Sequence, residues 1–84
     1  MFVHIGGNVS VVDSEVTAVI DLENCPPTDK DMNDFIRAEE ESMRIEYLSG
    51  DLPKSLIITA GRTYVSPLSV SVILRRLKHF DIGD

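Results

Sequence analysis

The sequence predicts a small α+β fold: a mostly antiparallel sheet carrying two helices, in the order β-β-β-α-β-β-β-α. Three patterns carry this prediction. Short β-branched runs bounded by Gly, Pro, Asn and Asp recur on both sides of Pro26-Pro27. A helical stripe, Met32, Phe35 and Ile36, follows those prolines, and a longer one follows Pro67.

Phe2 to Ile5 alternates, and Gly6-Gly7-Asn8 supplies residues that tolerate positive φ at a tight turn. Val9 to Val12 then reads as the returning strand, with Val9 and Val11 on one face. After a turn at Asp13-Ser14, the β-branched run Val16-Thr17-Ala18-Val19-Ile20 is expected to be well buried. Asn24-Cys25-Pro26-Pro27 ends this segment, because two prolines remove two donors and fix φ. Thr28 reads as the N-cap of the first helix, with Asp31 as a short-armed capping box. Asp29, Asp31 and Asp34 suit the positive end of the helix dipole, whereas Glu39-Glu40-Glu41 falls where the dipole opposes it. That run reads as a solvated face or a contact surface, not as a stabilising device.

Arg44 to Leu48 alternates as a strand, and Ser49-Gly50-Asp51-Leu52-Pro53 is a turn. Lys54 to Thr59 and Arg62 to Ser66 form a hairpin about Ala60-Gly61. Ser66 as N-cap and Pro67 at the first helical position open the second helix. Its stripe is Val70, Ile73, Leu74, Leu77 and Phe80, and 81–84 form a short tail.

At 84 residues, the chain has room for one domain, spanning 1–84. A domain of this size buries only about 60% of its unfolded surface, so association with copies of itself would add needed burial. The 43% hydrophobic and 26% charged composition is that of a globular protein. No apolar run approaches a membrane span, and the N-terminus has neither the basic region nor the apolar stretch of a signal peptide. With Cys25 as the single thiol, a reducing, cytoplasmic location is expected.

The formal net charge of −6 opposes non-specific contact with nucleic acid. The charge is unevenly spread. Residues 1–53 hold three basic residues against twelve acidic ones, a net −9, whereas 54–84 hold five against two, a net +3. The second half therefore carries the only local excess of positive charge.

Motifs for chemistry are sparse. His4, His79 and Cys25 lack the spacing of a metal site, and the acidic first helix lacks a calcium-loop pattern. Cys25 before two prolines reads as a small packed residue, a catalytic thiol being the remote alternative. Gly6 and Gly7 match neither a P-loop nor a dinucleotide fingerprint. The expectation is a protein that is not an enzyme, with no catalytic residue, metal or cofactor. The candidate nucleic-acid contacts are Lys54, Arg62, Arg75, Arg76 and Lys78. Cations near a helix C-terminus also have a plain structural use, since they interact favourably with the dipole.

Phe2-Val3-His4-Ile5-Gly6, Val16 to Asp21, Pro53-Lys54-Ser55-Leu56-Ile57-Ile58-Thr59 and Tyr64-Val65-Ser66-Pro67-Leu68-Ser69 running into Leu74-Arg75-Arg76 together span nearly the whole chain. In order and spacing the chain resembles the small bacterial extracellular-matrix regulators of the RemA/RemB family, more closely the RemB branch. The stretch from Pro26 to Tyr47 is the least similar. The resemblance implies a cytoplasmic transcriptional regulator of biofilm-matrix genes, without cofactor, that forms a ring-like homo-oligomer and engages double-stranded DNA through a repeated basic surface. RemA-type members carry arginine after the first hairpin and a Gly-Arg-Arg turn before the central strand. Here those stretches read Asp13-Ser14-Glu15 and Gly50-Asp51-Leu52-Pro53, so no RemA-type contact transfers. The missing arginines and the acidic first half also support an alternative, a protein-interaction module that co-assembles with a paralogous regulator or another partner and does not bind DNA.

Overall fold

The computed structural model describes residues 1–77. Strands β1 (Phe2–Gly6) and β2 (Val9–Val12) are followed by a single 3-10 turn, Asp13–Glu15, and by β3 (Val16–Asp21). Helix α1 (Lys30–Glu41), strands β4 (Ile45–Tyr47), β5 (Ser55–Thr59) and β6 (Thr63–Ser66), and helix α2 (Val70–Arg76) complete the chain. The α+β class and the element order are those the sequence predicts. Lys78, His79 and Phe80 lie outside the described residues.

The strands form two sheets where the sequence suggested one. β1 and β2 make a hairpin of their own, and the other four strands run in the order β3-β5-β6-β4. Pairing is antiparallel except between β4 and β6. The 3-10 turn redirects the chain after β2, so β3 pairs with β5 across the molecule and not with its neighbour in sequence. Alternation along β1 is kept: Val3 and Ile5 are buried, Phe2 and His4 exposed.

Ile73 of α2 and Leu77, the residue that caps its C-terminal end, project into a core with Val3, Ile5, Val11, Val16 and Ile57. Because α2 lies against both β3 and β1, this core joins the two sheets. Burying side chains of this kind contributes about 1.5–3 kcal/mol each. The β-branched run of β3 is less buried than expected. Only Val16 is enclosed, while Ala18, Val19 and Ile20 are half-buried, because β3 is an edge strand of its sheet.

Both helices begin later than the sequence suggests. Asp29, not Thr28, caps α1, its carboxylate accepting from the Met32 N–H at 2.9 Å while its carbonyl accepts from Asn33 at 3.1 Å. Ser69, not Ser66, caps α2 through the Val72 N–H at 3.4 Å. Ser66 belongs to β6. Its carbonyl accepts from the Lys54 N–H at 2.9 Å in the sheet, and the helical ladder starts at the Ser69 carbonyl, which accepts from the Ile73 N–H at 3.1 Å.

The β1–β2 turn needs glycine for a specific reason. Gly7 has φ +56, and a Cβ there would lie 2.7 Å from the Leu48 carbonyl oxygen. The turn is thus pressed against the chain leaving β4.

The Glu39-Glu40-Glu41 run does more than face solvent. Glu39 accepts from the buried Thr63 hydroxyl at 2.5 Å and pairs with Arg44 at 3.3 Å, and Glu40 accepts from the Tyr47 hydroxyl at 2.6 Å. These bonds fasten the end of α1 to β4 and β6. The hydrogen bond to Glu40, aided by partial burial and by the carboxylate's charge, pushes the Tyr47 hydroxyl up to about 12. Its contribution to stability is complete below the ordinary tyrosine range and is lost as pH rises through about 12. In a Tyr64→Phe background, which leaves Tyr47 as the single tyrosine, the rise of tyrosinate absorbance should move to lower pH on Glu40→Gln. An unmoved midpoint would contradict the bond.

Candidate functional site

The last turn of α2 turns Ile73 and Leu77 inward and leaves Arg75 and Arg76 exposed. The two arginines meet the outward face of β1, where alternation puts Phe2 and His4 side by side. Together with Val3 they line an open hollow of about 230 Å³.

Arg76 is held in place within it. One guanidinium nitrogen donates to the His4 carbonyl oxygen at 2.8 Å and lies 3.4 Å from His4 Nδ1. His4 Nε2 lies 2.8 Å from the Gly7 carbonyl oxygen, a contact that requires Nε2 to carry the proton. The resulting tautomer turns the Nδ1 lone pair toward the guanidinium. A chain of contacts thus runs from the Gly6-Gly7 turn through the imidazole to α2.

The surroundings of the cations differ. Lys30 pairs with Asp34 at 2.7 Å, Arg44 with Glu39 at 3.3 Å and Arg62 with Glu46 at 3.6 Å. Arg75 and Arg76 have no carboxylate partner among the described residues. In a chain of net charge −6, two neighbouring guanidiniums with no carboxylate partner among the described residues make a locally positive spot.

Of the five basic positions singled out in the sequence, the structure brings together Arg75 and Arg76. Lys54 and Arg62 stand at opposite ends of β5, five residues or about 17 Å of strand apart, and do not share a patch. Lys54 serves the sheet through its main chain, accepting from the Leu22 N–H at 3.0 Å and donating to Ser66 at 2.9 Å. Arg62 is partly neutralised by Glu46. Lys78 lies outside the described residues.

Phe2 and His4 are the site residues that a reading by charge passes over. Their sequence signal is the alternation of β1, which marks both as outward. Nothing local reveals that the partner of His4 stands 72 positions away in Arg76.

Other features are spectators of this site. The turn Gly50-Asp51-Leu52-Pro53 presents Leu52 at 79% exposure. Asp13 lies 3.5 Å from the N-terminal ammonium. Cys25 is half-buried, and no group of three or more metal-ligating side chains occurs among the described residues. No described helix is long and apolar enough to cross a membrane.

A family model described as RemA-like, Extracellular matrix regulatory protein A-like, matches residues 2–77. Comparison with curated proteins gives no match. The matched span contains Phe2, His4, Arg75 and Arg76, the polar and aromatic walls of the hollow.

Proposed function

Starting from the premise that the chain belongs to the RemA-like family of extracellular-matrix regulatory proteins, we propose that it is a cytoplasmic, non-enzymatic transcriptional regulator of the RemB type. In this reading it assembles with copies of itself, in the ring-like manner its resemblance implies, and contacts double-stranded DNA through Arg75 and Arg76. The RemB assignment rests on the resemblance carried by Phe2 to Gly6, Val16 to Asp21, Pro53 to Thr59 and Tyr64 to Ser69 running into Leu74-Arg75-Arg76, while Asp13-Ser14-Glu15 and Gly50-Asp51-Leu52-Pro53 depart from the RemA type.

The observation that carries the DNA contact is the pair of guanidiniums on the last turn of α2, without a carboxylate partner among the described residues. Two phosphate contacts are too few to hold an acidic monomer on DNA. Repeated around an oligomer, they gain from effective concentration without any new kind of contact. Lys78 lies two positions beyond Arg76 in sequence and is a third contact in this reading. Lys54 and Arg62 contribute little, one standing apart and the other sharing its charge with Glu46.

The test is fluorescence anisotropy with matrix-promoter DNA at low salt, alongside light scattering at two salt concentrations. The expected result is an oligomer whose binding is lost in Arg75→Ala/Arg76→Ala. At partial loss, the salt slope should fall by about 1.8 for each subunit engaged. A monomer at both salt concentrations, or binding unchanged in the double variant, would sink the proposal.

The exposed Leu52 favours a second reading. An apolar side chain at a turn suits a protein contact better than a phosphate contact. Here the chain co-assembles with a paralogous regulator and does not itself touch DNA. Co-purification of a more basic paralogue, lost on Leu52→Asp, is the result expected of that reading, and recovery of the chain with itself alone counts against it.

A further inference from the structure

We propose that the hollow between β1 and the last turn of α2 is a nucleotide-binding site, with the phosphate between Arg75 and Arg76 and the flat base against the ring of Phe2. This goes beyond the duplex-DNA reading and shares with it only the two arginines.

Charge supplies the first argument. Lys30, Arg44 and Arg62 each have a carboxylate, yet the two guanidiniums that line this hollow have none among the described residues. An anion suits these two donors, and a phosphate accepts the forked donors of arginine particularly well.

Preorganisation supplies the second. The bond from Arg76 to the His4 carbonyl, at 2.8 Å, uses one of its five N–H groups and fixes the plane of the fork. Less side-chain entropy then remains to be lost when the anion arrives.

The third argument is the ring. Phe2 is 73% exposed on the wall beside the arginines. An exposed aromatic beside a phosphate-binding fork is the pairing by which single bases are held, since every base has a face to stack.

Size narrows the ligand class. At about 230 Å³, the hollow is smaller than the 300–1,000 Å³ usual for drug-sized ligands. It takes a phosphate and part of one nucleoside, leaving the remainder in water. A duplex offers Phe2 a base face only by unstacking a base step, a cost that a free nucleotide or an unpaired strand does not carry. The phosphate and base therefore come from a free nucleotide or from an unpaired strand.

The experiment is an amide NMR titration of the full chain with adenosine monophosphate, adenosine, inorganic phosphate and a short single-stranded oligonucleotide. Saturable shifts are expected at His4, Arg75 and Arg76 with the monophosphate, and affinity about tenfold or more lower for adenosine and for phosphate alone. Phe2→Ala, at an exposed position, should weaken the monophosphate about tenfold and leave inorganic phosphate unchanged. An oligonucleotide bound more tightly than the monophosphate would assign the site to an unpaired strand, and equal or weaker binding would assign it to a free nucleotide. No saturable shift, phosphate bound as well as the monophosphate, or no effect of Phe2→Ala would overturn the proposal. Duplex binding that survives Arg75→Ala/Arg76→Ala while monophosphate binding is lost would remove the duplex contact and keep this site. Loss of duplex binding with unchanged monophosphate binding would do the reverse.

Discussion

Ile57→Ala is expected to lower the free energy of unfolding by about 2–5 kcal/mol. Ile57 is fully buried at the centre of β5, paired with Val19 on one side and Tyr64 on the other, and its side chain enters the core that α2 covers. Alanine removes three carbons from a place where no neighbour can follow. The surrounding chain is in a four-stranded ladder, and the helix above is held by Ile73 and Leu77. At roughly 0.05–0.15 kcal/mol per residue, a chain of this length has about 4–13 kcal/mol in total, so the loss is a large share. Urea unfolding should show a lower midpoint with little change in slope. Ile58→Ala supplies the comparison: Ile58 is half-buried on the opposite face and should cost less. Equal losses would mean that the face toward α2 is not the main core.

The elements readable in advance are those whose signal is local. The Gly6-Gly7 turn, the hairpin about Ala60-Gly61 and the stripe of Ile73 and Leu77 each depend on residues a few positions apart. The failures are failures of long-range information. Ser66-Pro67 carries a sound N-cap signature, but the Lys54 N–H claims the Ser66 carbonyl and keeps it in the sheet. The division into two sheets depends on β3 choosing β5, whose first residue lies 34 positions beyond the end of β3. The Glu39-Glu40-Glu41 run looks unfavourable against the helix dipole, and local charge alone does not reveal Thr63 and Tyr47 waiting across the fold.

The candidate site divides in the same way. Arg75 and Arg76 were legible as adjacent cations at a helix end. Grouping them with Lys54 and Arg62 assumed one surface, and the hairpin puts those two at opposite ends of β5. Phe2 and His4 were legible as outward residues of β1, yet their place beside the arginines follows from α2 packing back across β1. Charge told which residues were available, and topology decided which of them met.

Ser66→Ala is expected to loosen the joint between the two sheets and, through it, the hollow. The Ser66 side chain is fully buried, and its hydroxyl donates to the Ile5 carbonyl at 2.5 Å while accepting from the Leu68 N–H at 3.0 Å. Gly6 packs directly against this seam, since a Cβ on it would lie 3.0 Å from Pro67 Cδ and 3.2 Å from the Ser66 oxygen. Alanine keeps the volume nearly unchanged and removes both bonds. Each buried group left without a partner costs about 1–3 kcal/mol. Ser55→Ala, which loses only the bond to the Leu68 carbonyl at 2.7 Å, should cost less. The carbonyl stripped of its donor belongs to β1, the strand that carries Phe2 and His4, so the damage falls first on that hairpin. Native-state hydrogen exchange should show protection falling more in β1 and β2 than in β5 and β6. The same variant should weaken whatever ligand Arg75 and Arg76 hold, because the His4 carbonyl that positions Arg76 moves with the strand. Equal loss of protection in both sheets would mean that they open as one unit, and that the serine is not the joint which keeps the site in register.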